Sequence, residues 1–104
     1  PHRLYGVEGR HLNLKLPVAP WEAALGATVR VPTPTGKVEL KIPPGSKSGQ
    51  RLRLRGRGLP GRPAGDLYVR LEIVAPPART EKTQALYRQM ADAFDFDPRA
   101  GLGV

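Results

Sequence analysis

Glycine and proline punctuate this chain so closely that its apolar residues fall into short runs. Twelve residues of each type occur among 104 positions, and they separate the apolar runs instead of forming one block. Because both residues favour turns and interrupt regular structure, the spacing favours short strands joined by turns. The first three quarters of the chain are therefore predicted to be mainly β, as a small twisted sheet or sandwich.

Alternation of apolar and polar residues locates the strands. Leu12, Leu14 and Leu16 alternate with polar residues, which predicts a half-buried strand that ends at Pro17. The same alternation predicts further strands over residues 28–31, 37–42, 51–57 and 66–74. A short inserted helix is predicted over 20–26, since proline suits a first helical turn and glycine a last one. Trp21 shares a helix face with Leu25, and we expect Trp21 to lie in the core.

The last quarter of the chain carries a different period. After Pro76 and Pro77, Thr80 is suited to cap a helix. An apolar stripe then recurs at intervals of three to four residues, which predicts an amphipathic helix of about four turns. The stripe consists of Leu86, Tyr87, Met90 and Phe94. We interpret it as a dimerisation surface; the alternative is that it packs back on the sheet.

Positive charge is concentrated in the middle of the chain. The net charge is +8, and residues 37–70 hold nine basic and two acidic side chains. Spacing by two residues predicts a shared strand face for Arg51, Arg53, Arg55 and Arg57. This face is a candidate contact for double-stranded DNA through backbone phosphates. The alternative is a solvated edge whose arginines pair with Glu39 and Glu72.

Residues that could carry catalysis are scarce. The chain has no cysteine and two histidines, and its carboxylates are scattered, so no metal, cofactor or acid–base pair is expected. The run GSKSG at 45–49 lacks the ending of a phosphate loop and is predicted to be a turn. No apolar run is long enough to span a membrane, and no signal peptide is visible. The sequence therefore predicts a protein that is not an enzyme and does not enter membranes.

Three runs of sequence resemble the second C-terminal β-domain of DnaJ-type co-chaperones. They are LPVAPWEAALGATVRVPTPTG at 16–36, KIPPGSKSGQRLRLRGRGLP at 41–60 and GDLYVRLEIVAPP at 65–77. Together they cover about two thirds of the chain in the family's order. The segment APWEAALGA and the C-terminal segment FDPR most resemble the curved-DNA-binding branch of that family. Family members usually carry aspartate where this chain has His11, which puts the local turn in question.

The resemblance implies a domain of a longer protein, in keeping with a chain that begins at Pro1. Residues 1–77 would form the β-domain, with 1–10 as the remnant of a junction to a preceding β-domain. Residues 78–104 would form the dimerisation helix and its tail. A J-domain, absent from these residues, would stimulate a DnaK-type chaperone, and the dimer would support binding of unfolded client polypeptides in the cytoplasm. The alternative function is a nucleoid module that binds curved DNA without sequence specificity.

Overall fold

The computed structural model describes residues 5–103, and within that range the chain is mainly β. Six strands form two sheets, which confirms the predicted fold class. The larger sheet contains, in spatial order, β1 (Tyr5–Glu8), β2 (His11–Val18), β6 (Leu67–Ile73) and β5 (Arg51–Leu54). The smaller sheet is a hairpin of β3 (Ala27–Thr33) and β4 (Gly36–Ile42). The helices are α1 (Pro20–Leu25) and α2 (Glu81–Ala93), followed by a 3-10 turn at Ala100–Leu102.

Two parallel strands form the centre of the larger sheet. β2 lies beside β6 with Leu12 opposite Leu67 and Val18 opposite Ile73. β2 therefore continues past Pro17, where the sequence predicted its end; beyond it, the Val18 carbonyl accepts a bond from the Val74 amide at 2.9 Å. β1 pairs antiparallel with β2. The alternation of apolar residues did not reveal β1, which lies in the segment assigned to a junction.

The hairpin and α1 cover one face of the larger sheet. The Tyr5 hydroxyl donates to the Pro32 carbonyl at 2.8 Å and so joins the sheet to the hairpin. Burial of this phenol raises the pKa of Tyr5. The buried apolar side chains come from both sheets and from α1: Tyr5, Leu12, Leu14, Val18, Ala23, Val31, Leu40, Ile42, Leu67, Val69 and Leu71. The opposite face of the larger sheet carries the polar members of the same alternation.

The short helix α1 faces the core with Ala23. The Gly45 and Ser46 amides donate to the Ala24 and Ala23 carbonyls at 3.1 and 2.9 Å, which ties α1 to the loop after β4. Ala23 is the buried residue of this helix. Trp21 lies on the other side of the helix and is 58% exposed. The prediction that Trp21 belongs to the core is wrong.

A loop rich in glycine closes over the turn between β1 and β2. The Leu59 amide donates to the Arg10 carbonyl at 3.0 Å, and the Gly65 amide donates to the Leu59 carbonyl at 2.9 Å. A Cβ atom at Gly65 would lie 1.7 Å from the Arg10 carbonyl oxygen, so this position requires glycine. His11 supports the same turn, because its Nδ1 accepts a hydrogen bond from the Asp66 amide at 3.0 Å. The imidazole thus supplies a hydrogen-bond acceptor to the backbone of this turn.

Candidate nucleic-acid and dimer surfaces

The basic strand is shorter than its sequence predicts. β5 ends at Leu54, and Gly56 adopts a left-handed backbone with φ of 72°. The Arg57 amide closes the turn by donating to the Leu54 carbonyl at 3.4 Å. Arg55 and Arg57 therefore lie beyond the strand. The prediction that the strand reaches Arg57 is wrong, so strand periodicity supports a shared face only for Arg51 and Arg53.

Arg53 is held by an ion pair that sequence reasoning missed. Its Nε donates to Asp66 Oδ2 at 2.7 Å, and a second guanidinium nitrogen lies 2.5 Å from the same oxygen. The Gly56 amide donates to Asp66 Oδ1 at 2.9 Å. The Gly56 amide and then the Arg53 guanidinium hold the pKa of Asp66 below its usual range, and the carboxylate raises the pKa of Arg53. Asp66 therefore pairs with Arg53, whereas the predicted partner Glu72 pairs with Lys15 at 3.4 Å.

Arg51 lies closer than Arg53 to the aromatic ring of Tyr68. Its guanidinium carbon lies 4.4 Å from the centroid of the Tyr68 ring. His11 meets the same ring edge-on, with centroids 5.7 Å apart. Within residues 5–103 Arg51 makes no ion pair, unlike Arg53. Arg51 therefore presents a positioned, exposed guanidinium that can bind an anion.

The second surface is the apolar side of α2. Thr80 caps the helix as predicted, and its Oγ1 accepts from the Thr83 amide at 3.1 Å. The helix ends at Ala93, one residue before the predicted stripe ends, yet the Phe94 amide still bonds the Met90 carbonyl at 3.1 Å. No residue of α2 is buried. The stripe side chains are 53%, 46% and 62% exposed at Leu86, Met90 and Phe94.

The stripe ends in a concave apolar surface, which we call the terminal notch. It has a volume of about 270 Å³ and is lined by Tyr87, Met90, Ala91, Phe94 and Phe96. Three of the four predicted dimerisation residues therefore meet here, while Leu86 lies outside the lining. The Tyr87 hydroxyl donates to the Pro76 carbonyl and ties the helix to its linker. Sequence reasoning missed Phe96 because it follows the helix and does not obey the helical period.

Other kinds of site find no support in the described range. Within residues 5–103 no group of three or more histidine and acidic side chains could hold a metal ion. None of the helices in that range has the length and apolar character needed to cross a bilayer. The run GSKSG forms a turn, as predicted, in which the Ser48 hydroxyl accepts from the Ile73 amide at 3.0 Å.

Comparison with known proteins gives one consistent result. The profile of the DnaJ C terminal domain matches residues 1–76. A curved DNA-binding protein of Coxiella burnetii is 54% identical over 102 residues, which cover 98% of this chain and 33% of that protein. A curved DNA-binding protein of Salmonella arizonae is 52% identical over 105 residues, covering 99% of this chain and 34% of that protein. The chain spans about a third of the length of these curated relatives. The chain therefore belongs to the DnaJ C-terminal domain family of DnaJ-like co-chaperones.

Proposed function

We propose that this chain is the dimer-forming part of a co-chaperone related to the curved DNA-binding proteins, with no catalytic role of its own. Two copies joined through α2 support binding of an unfolded client polypeptide. J-domains elsewhere in the whole protein pass the client to a DnaK-type chaperone in the cytoplasm. This proposal is supported by the chain's membership of the DnaJ C-terminal domain family and by the exposed apolar side of α2.

One observation carries the dimer proposal: a helix with an apolar side that its own domain does not cover. The radius of gyration is 17.2 Å, whereas a compact domain of this length has about 13 Å. The helix therefore extends from the β-domain, and its stripe contacts solvent within residues 5–103. Burial of apolar surface favours association. A second copy offers the same stripe, which is the condition for a two-fold contact.

Dimerisation has a physical consequence for client binding. A client held weakly by one protomer is presented to the second at a high effective concentration. The joint affinity then exceeds that of either site by a factor of roughly 100 or more when the geometry permits both contacts. The dimer thereby retains unfolded chains that neither copy alone would hold.

Sedimentation equilibrium on this chain tests the dimer directly. The expected result is a mass twice that of one chain at micromolar concentration, with dissociation on dilution. A single-chain mass at high micromolar concentration would exclude self-association through α2. The β-domain serves as the internal control, since its circular dichroism should not change on dilution.

A second candidate function is binding of duplex DNA without sequence specificity. It is favoured by the charge of residues 37–70 and by relatives that are named curved DNA-binding proteins. Of the four arginines that the sequence suggests for this contact, Arg51, Arg55 and Arg57 remain available, since Asp66 engages Arg53. A dimer carries two such surfaces, and a bent duplex can reach both. Affinity for a duplex should fall steeply with salt and little with sequence; a binding constant indifferent to salt would exclude this function.

A further inference from the structure

Three basic side chains from three strands lie side by side on the outer face of the larger sheet. The register places Lys15 of β2 opposite Arg70 of β6, and Arg70 opposite Arg51 of β5. All three are exposed and point away from the core. Since neighbouring strands are about 4.8 Å apart, the row spans roughly 10 Å. We call these residues the basic row.

The basic row is unfavourable for the isolated domain. Like charges directly opposite each other in a sheet are destabilising. Lys15 is relieved by Glu72 at 3.4 Å, but within residues 5–103 neither Arg70 nor Arg51 has an ion-pair partner. An anion bound across the row would remove this repulsion. The two arginines can also bind an oxyanion through paired hydrogen bonds, which lysine does not do.

The surface around the row is shaped to admit such a ligand. A shallow groove of about 430 Å³ runs over it, and its lining residues come from β1, β2, β5 and β6. Gly6 of β1 lies opposite Asn13 and leaves that side of the groove without a side chain. Glu8 is the one acidic residue of the described chain in the lining. The stacking of Arg51 on Tyr68 at 4.4 Å fixes one guanidinium at the groove floor.

We infer that the basic row is the site where the domain contacts the phosphodiester backbone of duplex DNA. The inference rests on the second function proposed above and specifies its site. It keeps Arg51 and replaces Arg55 and Arg57, which lie beyond β5, by Lys15 and Arg70. A row of roughly 10 Å is long enough for two neighbouring phosphates, whose charges are about 3.4 Å apart along the helix axis.

Two features favour a duplex over other polyanions. The Tyr68 ring is covered by Arg51 and met by His11, so it offers no free platform for the bases of a single strand. An acidic peptide that binds by strand addition needs a free strand edge. The row is centred on β6, whose edges are both paired with neighbouring strands, and polar groups dominate its lining. Binding there depends on charge, which suits a uniform phosphate backbone.

The test compares two double variants that each remove two positive charges. Arg51→Gln with Arg70→Gln alters the basic row. Lys37→Gln with Lys41→Gln alters exposed lysines on β4, which belongs to the other sheet. Fluorescence anisotropy with a duplex of about 30 base pairs gives the affinity from roughly 50 to 200 mM salt. Thermal unfolding of each variant verifies the fold.

The expected result is a smaller salt dependence in the row variant alone. Each lost phosphate contact lowers the slope of log affinity against log salt by about 0.9, so two contacts lower it by about 1.8 per protomer. Equal losses in both variants would overturn the inference in favour of diffuse attraction. Wild-type binding with an unchanged row variant would also overturn it, while leaving DNA binding by the protein intact.

A further arm separates failure of the site from failure of the function. If the wild-type chain binds no duplex, DNA binding and its site are both excluded. A poly-glutamate peptide is then titrated in the same assay. If the peptide binds and the binding depends on Arg51 and Arg70, the basic row is assigned to acidic polypeptides. If the peptide does not bind, the basic row has no ligand of either class. Each outcome contradicts the assignment to DNA.

Discussion

Replacing Met90 by aspartate tests the proposed dimer contact at its centre. Met90 lies in the stripe of α2 and lines the terminal notch beside Phe94. Met90 is exposed in the single chain, so the change disturbs no buried packing within it. The substitution should therefore leave the β-fold intact and act on association alone. The expected loss of dimer affinity depends on how much of the Met90 side chain is exposed in the single chain.

The magnitude can be estimated from exposure. Full burial of a methionine side chain contributes about 1.5–3 kcal/mol. Since Met90 is 46% exposed, roughly half remains to be gained on association, about 1 kcal/mol per protomer. Two protomers give about 2 kcal/mol, which weakens the dimer about thirtyfold. Moving a carboxylate out of water adds a further cost, so the measured loss should exceed thirtyfold.

Sedimentation equilibrium on both chains measures this loss. Ala85→Asp is the matched control, because it introduces the same charge on the side of α2 away from the stripe. The control should retain the dimer, whereas Met90→Asp should sediment as a single chain with unchanged circular dichroism from the β-domain. If both variants dissociate equally, or if Met90→Asp remains as tightly associated as the wild type, α2 does not form the contact through its stripe.

Three further changes test the β-domain. Asp66→Asn removes a carboxylate whose folded pKa is lowered by Gly56 and Arg53; its stabilisation is complete above the unfolded value of about 4 and is lost as pH falls through the folded pKa. The difference in Tm between wild type and Asp66→Asn should therefore shrink as pH falls below about 4, and a constant difference would contradict the ion pair. Gly65→Ala places a Cβ 1.7 Å from the Arg10 carbonyl oxygen and should lower the free energy of unfolding in urea by about 1–3 kcal/mol; an unchanged free energy of unfolding would contradict the close approach. Arg70→Gln removes the middle charge of the basic row and should raise Tm at low salt by an amount that disappears as salt screens the repulsion; a lower Tm at every salt concentration would show that the row is not repulsive.

Local periodicity predicted the elements whose ends are set locally. The alternation around Leu12 and Leu14, and around Leu67 and Val69, marks strands that are buried on one face, and both are central in the sheet. The cap at Thr80 is likewise a contact between residues three positions apart. Such features depend on neighbours in the chain. They can be inferred before any tertiary contact is known.

Contacts between distant residues decided the features that periodicity did not predict. β5 was expected to reach Arg57 but stops at Leu54, since Asp66 takes the Gly56 amide. The orientation of α1 depends on bonds from the loop after β4, which no helical pattern of Trp21 could reveal. The basic row can be recognised only from the parallel register of β2 and β6. In each case the residues are too far apart in sequence for a local pattern to connect them.

The acidic residues of this chain decide which of its many basic residues remain available to a ligand. Asp66 fixes Arg53, and Glu72 shares Lys15, so Arg51 and Arg70 are the members of the described outer face without an ion pair. A dimer would carry this pair twice, and one bent duplex contacting both copies would couple DNA affinity to association through α2. Met90→Asp should then reduce the salt slope for DNA to about half, as the count of phosphates contacted per duplex falls by half. Because linkage is reciprocal, the duplex should also strengthen the wild-type dimer. An unchanged salt slope in Met90→Asp would show that each protomer binds DNA alone, and the helix and the basic row would then act independently.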